Sequence, residues 1–271
     1  SGVPQDYAEA MKLYRLAADQ GNDRAQYNLG LMYDNGDGVP QDYVEATKWY
    51  RLAANQGFAR ARHNLGTIYK DGSGVPQDYA EAIKWYRLAA DQGFARAQSN
   101  LGLMYDNGDG VPQDYAEAVK WYKLAADQGN AAAQFNLGLM YDNGRGVPQD
   151  YAEAMKLYRL AADQGLATAQ YYIGVMYDNG RGVPQDYAEA VKWYRLAADQ
   201  GFASAQNILG YMYDNARGVP EDNVEAMKWY NLAADQGDAN AKENKEIIEK
   251  NMTRQQIAEG QRLSREWFNE H

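Results

Sequence analysis

The chain has 271 residues with 27 basic and 37 acidic side chains, so its net charge is −10. It contains no cysteine, which excludes disulfide frameworks, thiolate zinc sites and cysteine nucleophiles. The acidic balance argues against nucleic acid and anionic membrane surfaces as partners, and no apolar run reaches the ~18 residues of a membrane span.

One unit of 36 residues recurs along the chain. All seven prolines lie 36 residues apart, from Pro4 to Pro220. Of the 26 glycines, 25 lie at four positions of the same period, and Gly260 is the exception. Such spacing indicates a solenoid or array rather than two globular domains. We count six full units, a seventh altered unit and a terminal helix.

Each unit begins with a predicted longer helix, here called the Tyr helix, over residues 6–20 in the first unit. Asp6 and Glu9 form a capping-box pattern, and Gly21 suits the end of the helix. Tyrosine and alanine recur on one face of this helix, where they are expected to pack.

A shorter helix follows, here called the Leu-Gly helix, predicted over residues 23–33. The pair Asn35-Gly36 suits a left-handed cap after it. Its apolar stripe is formed by Ala25, Leu29, Met32 and Tyr33. A pair of helices this small buries its stripes only against neighbouring units, so a stack of units is expected.

The two ends of the chain differ from the repeats. The start lies inside a turn without an initiator methionine or signal peptide, so we expect an excised segment with Ser1 left from the excision. Residues 1–237 are expected to form the repeats, and residues 238–271 a divergent last helix and a capping helix of one continuous solenoid. Thr253 and Gln256 form the capping box of that last helix. Its Trp267 and Phe268 are expected to pack on the cap, with an exposed partner anchor as the alternative.

These segments resemble the Sel1-like repeat, a relative of the tetratricopeptide repeat. The Leu-Gly helix carries the motif residues Ala25, Leu29, Gly30, Tyr33 and Gly36, and the next Tyr helix carries Ala46, Trp49, Tyr50, Ala53, Ala54 and Gly57. The resemblance covers about residues 2–240. It implies a right-handed α/α superhelix of helix-turn-helix repeats whose Leu-Gly helices line the concave side. It also implies a scaffold or adaptor for protein complexes, of bacterial origin and in the periplasm or secreted.

Residues suited to catalysis or metal binding are few. The only histidines are His63 and His271, so neither a triad nor a histidine metal site can be assembled. The turn from Asp34 to Gly38 weakly resembles a calcium loop, but it lacks the EF-hand spacing and is interpreted as a glycine-capped turn. The recurring tryptophans and the phenylalanines after the glycine turn are expected to serve packing. No cofactor or metal is expected.

Four positions of the Leu-Gly helix lie opposite its apolar stripe, at about 100° per residue. We call them the first to fourth rows. The first row is Arg24, Arg60, Arg96, Ala132, Thr168 and Ser204. The second row is Tyr27, His63, Ser99, Phe135, Tyr171 and Asn207. The third row is Leu31, Thr67, Leu103, Leu139, Val175 and Tyr211. The fourth row is Asp in every unit except for Lys70.

Variation in these rows has two explanations: a selected recognition surface, or drift of exposed positions. The Tyr helix serves as a control, because its exposed Glu9, Lys12, Arg15 and Asp19 recur almost unchanged in every unit. Glu–Lys and Arg–Asp pairs contribute only ~0.2–0.5 kcal/mol each, so weak ion pairing alone does not hold them. The contrast favours a recognition surface, with arginines in the early units and aromatic residues in the later ones.

The sequence therefore predicts an all-α solenoid that acts as a non-catalytic interaction scaffold and binds a protein or peptide along its concave face. The chain is expected to be a monomer. The alternative is a structural or consensus-designed array without a specific ligand, and a metal enzyme using the acidic turns is a remote third. The residues expected to contact the ligand are Arg24, Tyr27, Leu31, Arg60, His63, Thr67, Arg96, Ser99, Phe135, Tyr171, Tyr172, Asn207 and Tyr211.

Overall fold

The structure, a computed structural model, describes residues 7–270, and every regular element in that range is an α-helix. The bounds are α1 Tyr7–Asp19, α2 Asp23–Asn35, α3 Tyr43–Asn55, α4 Ala59–Asp71, α5 Tyr79–Ala90, α6 Ala95–Asn107, α7 Tyr115–Ala126, α8 Ala131–Asn143, α9 Tyr151–Ala162, α10 Ala167–Asn179, α11 Tyr187–Asp199, α12 Ala203–Asp214, α13 Asn223–Asp235, α14 Ala239–Glu249 and α15 Arg254–Glu270. Odd numbers up to α13 are Tyr helices, and even numbers up to α14 are Leu-Gly helices.

The chain divides into two compact units. In its described part, the first unit comprises residues 7–133 and 145–147, and the second comprises residues 134–144 and 148–270. Within the first unit each helix from α1 to α7 packs on the next one. Within the second unit the same holds from α9 to α14, and α15 packs on α13.

The predicted caps are confirmed. The side chain of Asp42 accepts a hydrogen bond from the backbone N–H of Glu45 at 3.0 Å, which satisfies an otherwise free amide at the start of α3. Gly36 ends α2 with a positive φ of 79°, a conformation that glycine adopts without strain. The first capping aspartate, Asp6, lies outside the described residues.

The prediction of a longer and a shorter helix is wrong. The helices α1 and α2 both have 13 residues. The aspartate before α3, like that before α5, is an N-cap and stands outside the helix, whereas the Leu-Gly helix α2 continues through Asp34 and Asn35 to its glycine cap. Helix length is therefore set by the caps at both ends rather than by the extent of the apolar stripe.

A close approach of glycine to tyrosine explains the Leu-Gly pair. A Cβ atom added to Gly30 would lie 2.5 Å from Cδ1 of Tyr50, so only glycine fits against this ring. The same contact recurs between Gly66 and Tyr86 and in the later repeats. Leu29 is fully buried beside it, as the predicted apolar stripe requires. Tyr50, buried to 0% exposure, is thereby clamped between consecutive helices.

Buried amides connect the helix pairs. Gln56 Nε2 donates to Gln26 Oε1 at 2.7 Å, and Gln26 Nε2 donates to the carbonyl of Ala18 at 3.2 Å. In the next pair Arg62 takes the place of the buried glutamine, and its Nε donates to the carbonyl of Ala54 at 3.0 Å. The carbonyl at the end of the Tyr helix thus keeps a side-chain donor although glutamine changes to arginine, which preserves the stacking.

The helix α15 covers α13, as predicted for a cap. Its capping box is formed: Gln256 Oε1 accepts from the Thr253 amide at 2.9 Å, and the Gln256 amide donates to Thr253 Oγ1 at 3.3 Å. Gly260 allows the close approach, since a Cβ there would lie 2.7 Å from Met227 Cγ. Trp267 packs against the core of the second unit, whereas Phe268 stays 51% exposed. Among residues 7–270, no helix has both the length and the apolar character of a membrane span.

Candidate functional site

The Leu-Gly face is the side of the Leu-Gly helices that carries the four rows. In the first unit its most exposed cations are Arg24, Arg60 and Arg96, one from each successive Leu-Gly helix. Each is the second residue of its helix, so all three lie at the same helix ends. Their guanidinium groups make no hydrogen bond or ion pair with any residue between 7 and 270.

Two adjoining hollows lie between these arginines, and we call them together the arginine groove. The larger has a volume of about 650 Å³ and is lined by Arg24, Tyr27, Asn28, Phe58, Ala59, Arg60 and Phe94. The smaller, of about 310 Å³, is lined by Tyr27, Arg60, His63, Asn64, Phe94 and Arg96. The groove therefore has guanidinium groups around it and aromatic rings within it.

Tyr27 and His63 of the second row are half-buried because their rings pack on neighbouring helices. The Tyr27 ring lies 5.1 Å from Phe58 and 5.8 Å from Tyr50 between centroids. His63 repeats the arrangement, with its ring centroid 5.4 Å from Phe94. One side of the Tyr27 ring is thus used for packing while its remaining surface lines the groove, whereas the His63 ring is enclosed by Tyr86 and Phe94.

The charges of the groove act on these rings. Burial raises the pKa of Tyr27, while the positive charges of Arg60 and Arg96 oppose that increase. Burial lowers the pKa of His63, and the nearby Arg96 and Lys70 lower it further. Burial is the main cause of both pKa shifts, and the nearby cations Arg60, Arg96 and Lys70 act in addition to it.

Not all of the predicted contact residues are accessible. Ser99 and Asn207, both in the second row, are only 7% and 8% exposed. Asn207 Oδ1 accepts a hydrogen bond from Asn244 Nδ2 of the next Leu-Gly helix at 3.1 Å. The expectation that the second row faces away from the core is wrong for these two residues, because consecutive Leu-Gly helices touch along this row.

The fourth row is also turned towards the protein. Tyr50 donates to Asp34 Oδ2 at 2.8 Å, and Tyr158 donates to Asp142 Oδ2 at 3.2 Å. Asp142 is 8% exposed. The recurrence of aspartate in this row therefore follows from an acceptor role for the buried tyrosine, which the helical projection did not reveal.

The third row divides between exposure and packing. Leu31 is half-buried on the core, and Leu103 is exposed. Thr67 Oγ1 lies 3.1 Å from the hydroxyl of Tyr86 and forms a hydrogen bond with it. In the second unit Tyr211 is 39% exposed.

The second unit carries an aromatic cluster on its Leu-Gly face. Phe135 and Tyr172 meet edge to face with centroids 5.3 Å apart, and Tyr171 meets Tyr172 in the same manner at 5.5 Å. Tyr171 also stacks on Phe202 at 5.3 Å. The structure thus brings together Phe135, Tyr171 and Tyr172, all of them half-buried, whereas Tyr211 is exposed and outside this cluster.

Phe58 and Phe94 were expected to plug the joint between helices, and their place on the Leu-Gly face was missed. They stand at the N-cap positions of α4 and α6, where neither forms a side-chain capping hydrogen bond. The signal available in the sequence was the apolar residue at a position where Asn22 and Asp238 cap other Leu-Gly helices. An apolar residue at an N-cap gives up that hydrogen bond, so a packing or binding role is indicated.

The exposed face of the Tyr helices has internal partners. Lys48 Nζ lies 2.7 Å from Glu45 Oε2, and the same pair recurs along the described chain. The predicted Arg–Asp pairs four residues apart do not form among residues 7–270; instead Arg51 donates to the hydroxyl of Tyr69, and Arg159 donates to that of Tyr177 at 2.8 Å. The recurrence of the arginines thus reflects their hydrogen bonds to tyrosines of the following helix.

Chemistry-bearing clusters are sparse on the described part of the chain. No group of three or more His, Asp or Glu side chains within residues 7–270 has the arrangement of a metal site. In the glycine turn, Asn35 Nδ2 donates to Asp37 Oδ2 at 3.2 Å, so this aspartate serves the turn itself. Trp49 and Trp229 are buried at 8% and 2% exposure, in agreement with the predicted packing role.

Comparison with known families identifies the repeat. The family model described as Sel1 repeat matches residues 1–22, 23–58, 59–94, 95–130, 131–166, 167–202 and 203–238. These bounds reproduce the 36-residue period and leave α14 and α15 outside the matched repeats. A search of curated proteins found no match.

Solved structures share the same architecture. A protective antigen present in uropathogenic Escherichia coli strains, which displays an SLR fold, is 38% identical with a TM-score of 0.84 over 94% of this chain and 56% of that chain. This chain therefore spans about half of that protein. A Sel1 repeat protein from Oxalobacter formigenes is 35% identical with a TM-score of 0.79, covering 84% of this chain and 92% of that chain. Both likenesses confirm the predicted all-α solenoid class.

Proposed function

This chain belongs to the Sel1 repeat family, whose members are generally protein-interaction scaffolds, and from that premise we propose that it binds a peptide or protein segment along its Leu-Gly face. The observation that carries the proposal is the set of three arginines on that face without an internal partner among the described residues. Exposed arginine and aromatic side chains are the usual anchors of an interface.

The rest of the described surface supports this choice of face. On the Tyr helices, the exposed lysines pair with glutamates, and the arginines bind tyrosines of the next helix. These side chains serve the stack itself. On the Leu-Gly face of the first unit, the guanidinium groups have no such role, and half-buried rings lie open between them.

The proposed role is non-catalytic, as is typical of the Sel1 repeat family. His63, the single histidine among residues 7–270, has its ring enclosed by Phe94 and Tyr86 and bonded to Asn64 and Asn100. Such a ring is placed for packing rather than for proton transfer to a substrate. The proposal includes a monomeric chain that acts in the periplasm or outside the bacterial cell, without nucleic-acid partners or membrane insertion.

The alternative is a repeat array without a specific ligand. Three variable positions of the Leu-Gly face support this alternative. Thr67 and Asn207 form hydrogen bonds with neighbouring helices, and Ser99 is buried, so packing explains the residues found there. The arginines of the first row are not explained in this way, since nothing in the described chain pairs with them.

The absence of cysteine permits a direct test. Single cysteines are introduced on the Leu-Gly face (Leu103→Cys or Tyr211→Cys) and on the Tyr helices (Lys84→Cys or Lys192→Cys), and each is coupled to a bulky maleimide polymer. All four positions are exposed, so folding is expected to be retained and is checked by circular dichroism. Peptides are first selected with the unmodified protein from an unbiased display library.

Polymer on the Leu-Gly face is expected to abolish binding of the selected peptides, while polymer on the Tyr helices leaves it unchanged. Two results would contradict the proposal. One is a library from which the protein enriches no peptide. The other is equal loss of binding from both sets of positions, because the contact would then not be confined to the Leu-Gly face.

A further inference from the structure

Three unpaired guanidinium groups around one groove are unusual in a chain of net charge −10. Arg24, Arg60 and Arg96 come from α2, α4 and α6, so equivalent positions of three consecutive repeats contribute one cation each. The corresponding position in later repeats is Ala132, Thr168 or Ser204. The positive charge is therefore local to the first unit.

The interior of the groove is amphipathic. Tyr27 and Phe58 form its floor with ring centroids 5.1 Å apart, and Phe94 borders both hollows. Asn28 adds a side-chain amide, which can both donate to and accept from a peptide backbone. Rings flanked by cations suit a ligand with apolar or backbone atoms between negative charges.

We propose that the arginine groove binds an extended peptide segment whose acidic side chains pair with Arg24, Arg60 and Arg96. This inference rests on the proposed function and names its ligand class. A planar guanidinium binds a carboxylate through two parallel hydrogen bonds, which favours arginine over lysine at each position. Tyr27, Phe58 and Phe94 receive the intervening part of the peptide.

The repeat spacing sets the register of the ligand. Consecutive Leu-Gly helices are in contact, since Asn100 Nδ2 lies 3.1 Å from His63 Nε2, and packed helices lie about 8–10 Å apart. A peptide in the extended polyproline II conformation advances about 3.1 Å per residue and points every third side chain to the same side, so roughly three residues span one repeat. The matching peptide therefore carries acidic residues at every third position, three times over.

A continuous polyanion fits this surface less well. Beside the arginine groove, a further hollow of about 300 Å³ is lined by Asp34 and Asp71 together with Tyr43, His63 and Thr67. Carboxylates there repel a phosphate backbone that extends past the three arginines. A short acidic stretch of a peptide ends before it reaches those carboxylates. A peptide or protein ligand is therefore favoured over a continuous polyanion.

The test measures fluorescence anisotropy of labelled synthetic peptides with the full chain. One peptide carries glutamate at every third position between small apolar residues. A second has the same composition with the three glutamates adjacent, and a third has glutamine in place of glutamate. The variants are the triple Arg24→Gln/Arg60→Gln/Arg96→Gln and the matched control Lys48→Gln/Lys84→Gln/Lys120→Gln, which removes equal charge from exposed positions of the Tyr helices.

The spaced peptide is expected to bind the wild-type chain, and the arginine triple is expected to weaken binding roughly tenfold or more, because three charge pairs are lost together. The lysine triple should stay within about twofold, since those side chains do not line the groove and are paired with glutamates of the Tyr helices. The affinity should also fall as salt is raised.

Several outcomes would overturn the inference. Equal binding of the glutamine peptide would remove the charge requirement, and equal binding of the arginine triple would remove the site. Equal binding of the adjacent-glutamate peptide would refute the register. Tighter binding of a short single-stranded oligonucleotide at the same arginines would replace the peptide with a polyanion. If library peptides bind at the Leu-Gly face but are not acidic, the proposed function stands and this inference fails.

Discussion

Thr67 Oγ1 and the hydroxyl of Tyr86 lie 3.1 Å apart and share a hydrogen bond. In the preceding repeat, the equivalent Tyr50 donates to Asp34. The second Leu-Gly helix has Lys70 where that aspartate stands, and it has Thr67 where the first has Leu31. Two changes that look independent in the sequence thus maintain one partner for a fully buried tyrosine.

This coupling predicts a non-additive pair of substitutions. Thr67→Leu alone should lower the free energy of unfolding by about 1 kcal/mol, because the Tyr86 hydroxyl loses an acceptor. Combining it with Lys70→Asp should recover most of that loss, since the new carboxylate accepts as Asp34 does. Urea denaturation of the wild type, both single variants and the double variant gives the four free energies of unfolding that make up this double-mutant cycle. Additive effects of the two substitutions would contradict it.

The glycine–tyrosine contact predicts that a favourable helix substitution is destabilising. Alanine is better than glycine in a helix by about 0.5–1 kcal/mol, but a Cβ at Gly102 would lie 2.7 Å from Cδ1 of Tyr122. Gly102→Ala should therefore destabilise the protein by about 1–3 kcal/mol, the usual cost of overpacking.

The control for that substitution is Gly93→Ala. No atom lies within 4 Å of a Cβ there, and the cost comes only from its positive φ of 81°. This strain amounts to about 1 kcal/mol. In thermal denaturation, the Gly102→Ala protein should have a lower melting temperature than the Gly93→Ala protein. A Gly102→Ala protein as stable as the wild type would show that the tyrosine ring moves without penalty.

The surroundings of His63 predict that the folded protein loses stability at mildly acidic pH. Its pKa is lowered in the folded state, first by burial and further by Arg96 and Lys70, so the unfolded chain binds the proton more readily. The stabilisation is complete above the unfolded pKa of about 6.5 and is lost as the pH falls through the lower folded pKa.

The measurement is the melting temperature of the wild type and His63→Gln between about pH 8 and pH 5, across the range in which histidine titrates. The wild type should lose more stability than the variant over the acidic half of this range. Parallel curves would mean that protonation of His63 does not oppose folding.

The last helix predicts unequal roles for its two adjacent aromatic residues. Trp267 packs against the core of the second unit, while Phe268 is 51% exposed. Trp267→Ala should lower the free energy of unfolding by about 2 kcal/mol, less than a fully buried tryptophan would. Phe268→Ala should stay within about 0.5 kcal/mol. Guanidinium denaturation compares the two, and equal losses would argue against the capping role.

Most of the fold could be predicted because its signals are local and recur. The aspartate N-caps, the glycine C-caps and the stripe at Leu29 and Met32 depend on near neighbours in the chain, so each repeat supplies the same prediction again. The helix lengths were wrong because Asp34 and Asn35 appeared to belong to the turn. In the structure they continue the helix up to Gly36.

The candidate site could be predicted only in part. A helical projection assumes one buried and one exposed side, and that holds for Arg24, which has solvent around it. A Leu-Gly helix, however, packs on the Tyr helices before and after it and on the next Leu-Gly helix. Asn207 is bonded to Asn244 of that next helix, and Phe58 at the N-cap of α4 reaches the groove by packing on Tyr27 of α2. No pattern within one helix contains this information.

The order of the amino acids is enough to assign the 36-residue period, the helix pairs, their caps and the packing residues, since all of these depend on residues close together in the chain. The tertiary structure alone decided which variable residues are accessible and which partners they have. Thr67 and Arg24 are both variable positions of the Leu-Gly face, yet one bonds a buried tyrosine and the other borders an open groove. That distinction arises from neighbours many residues away, whose positions only the packed helices define.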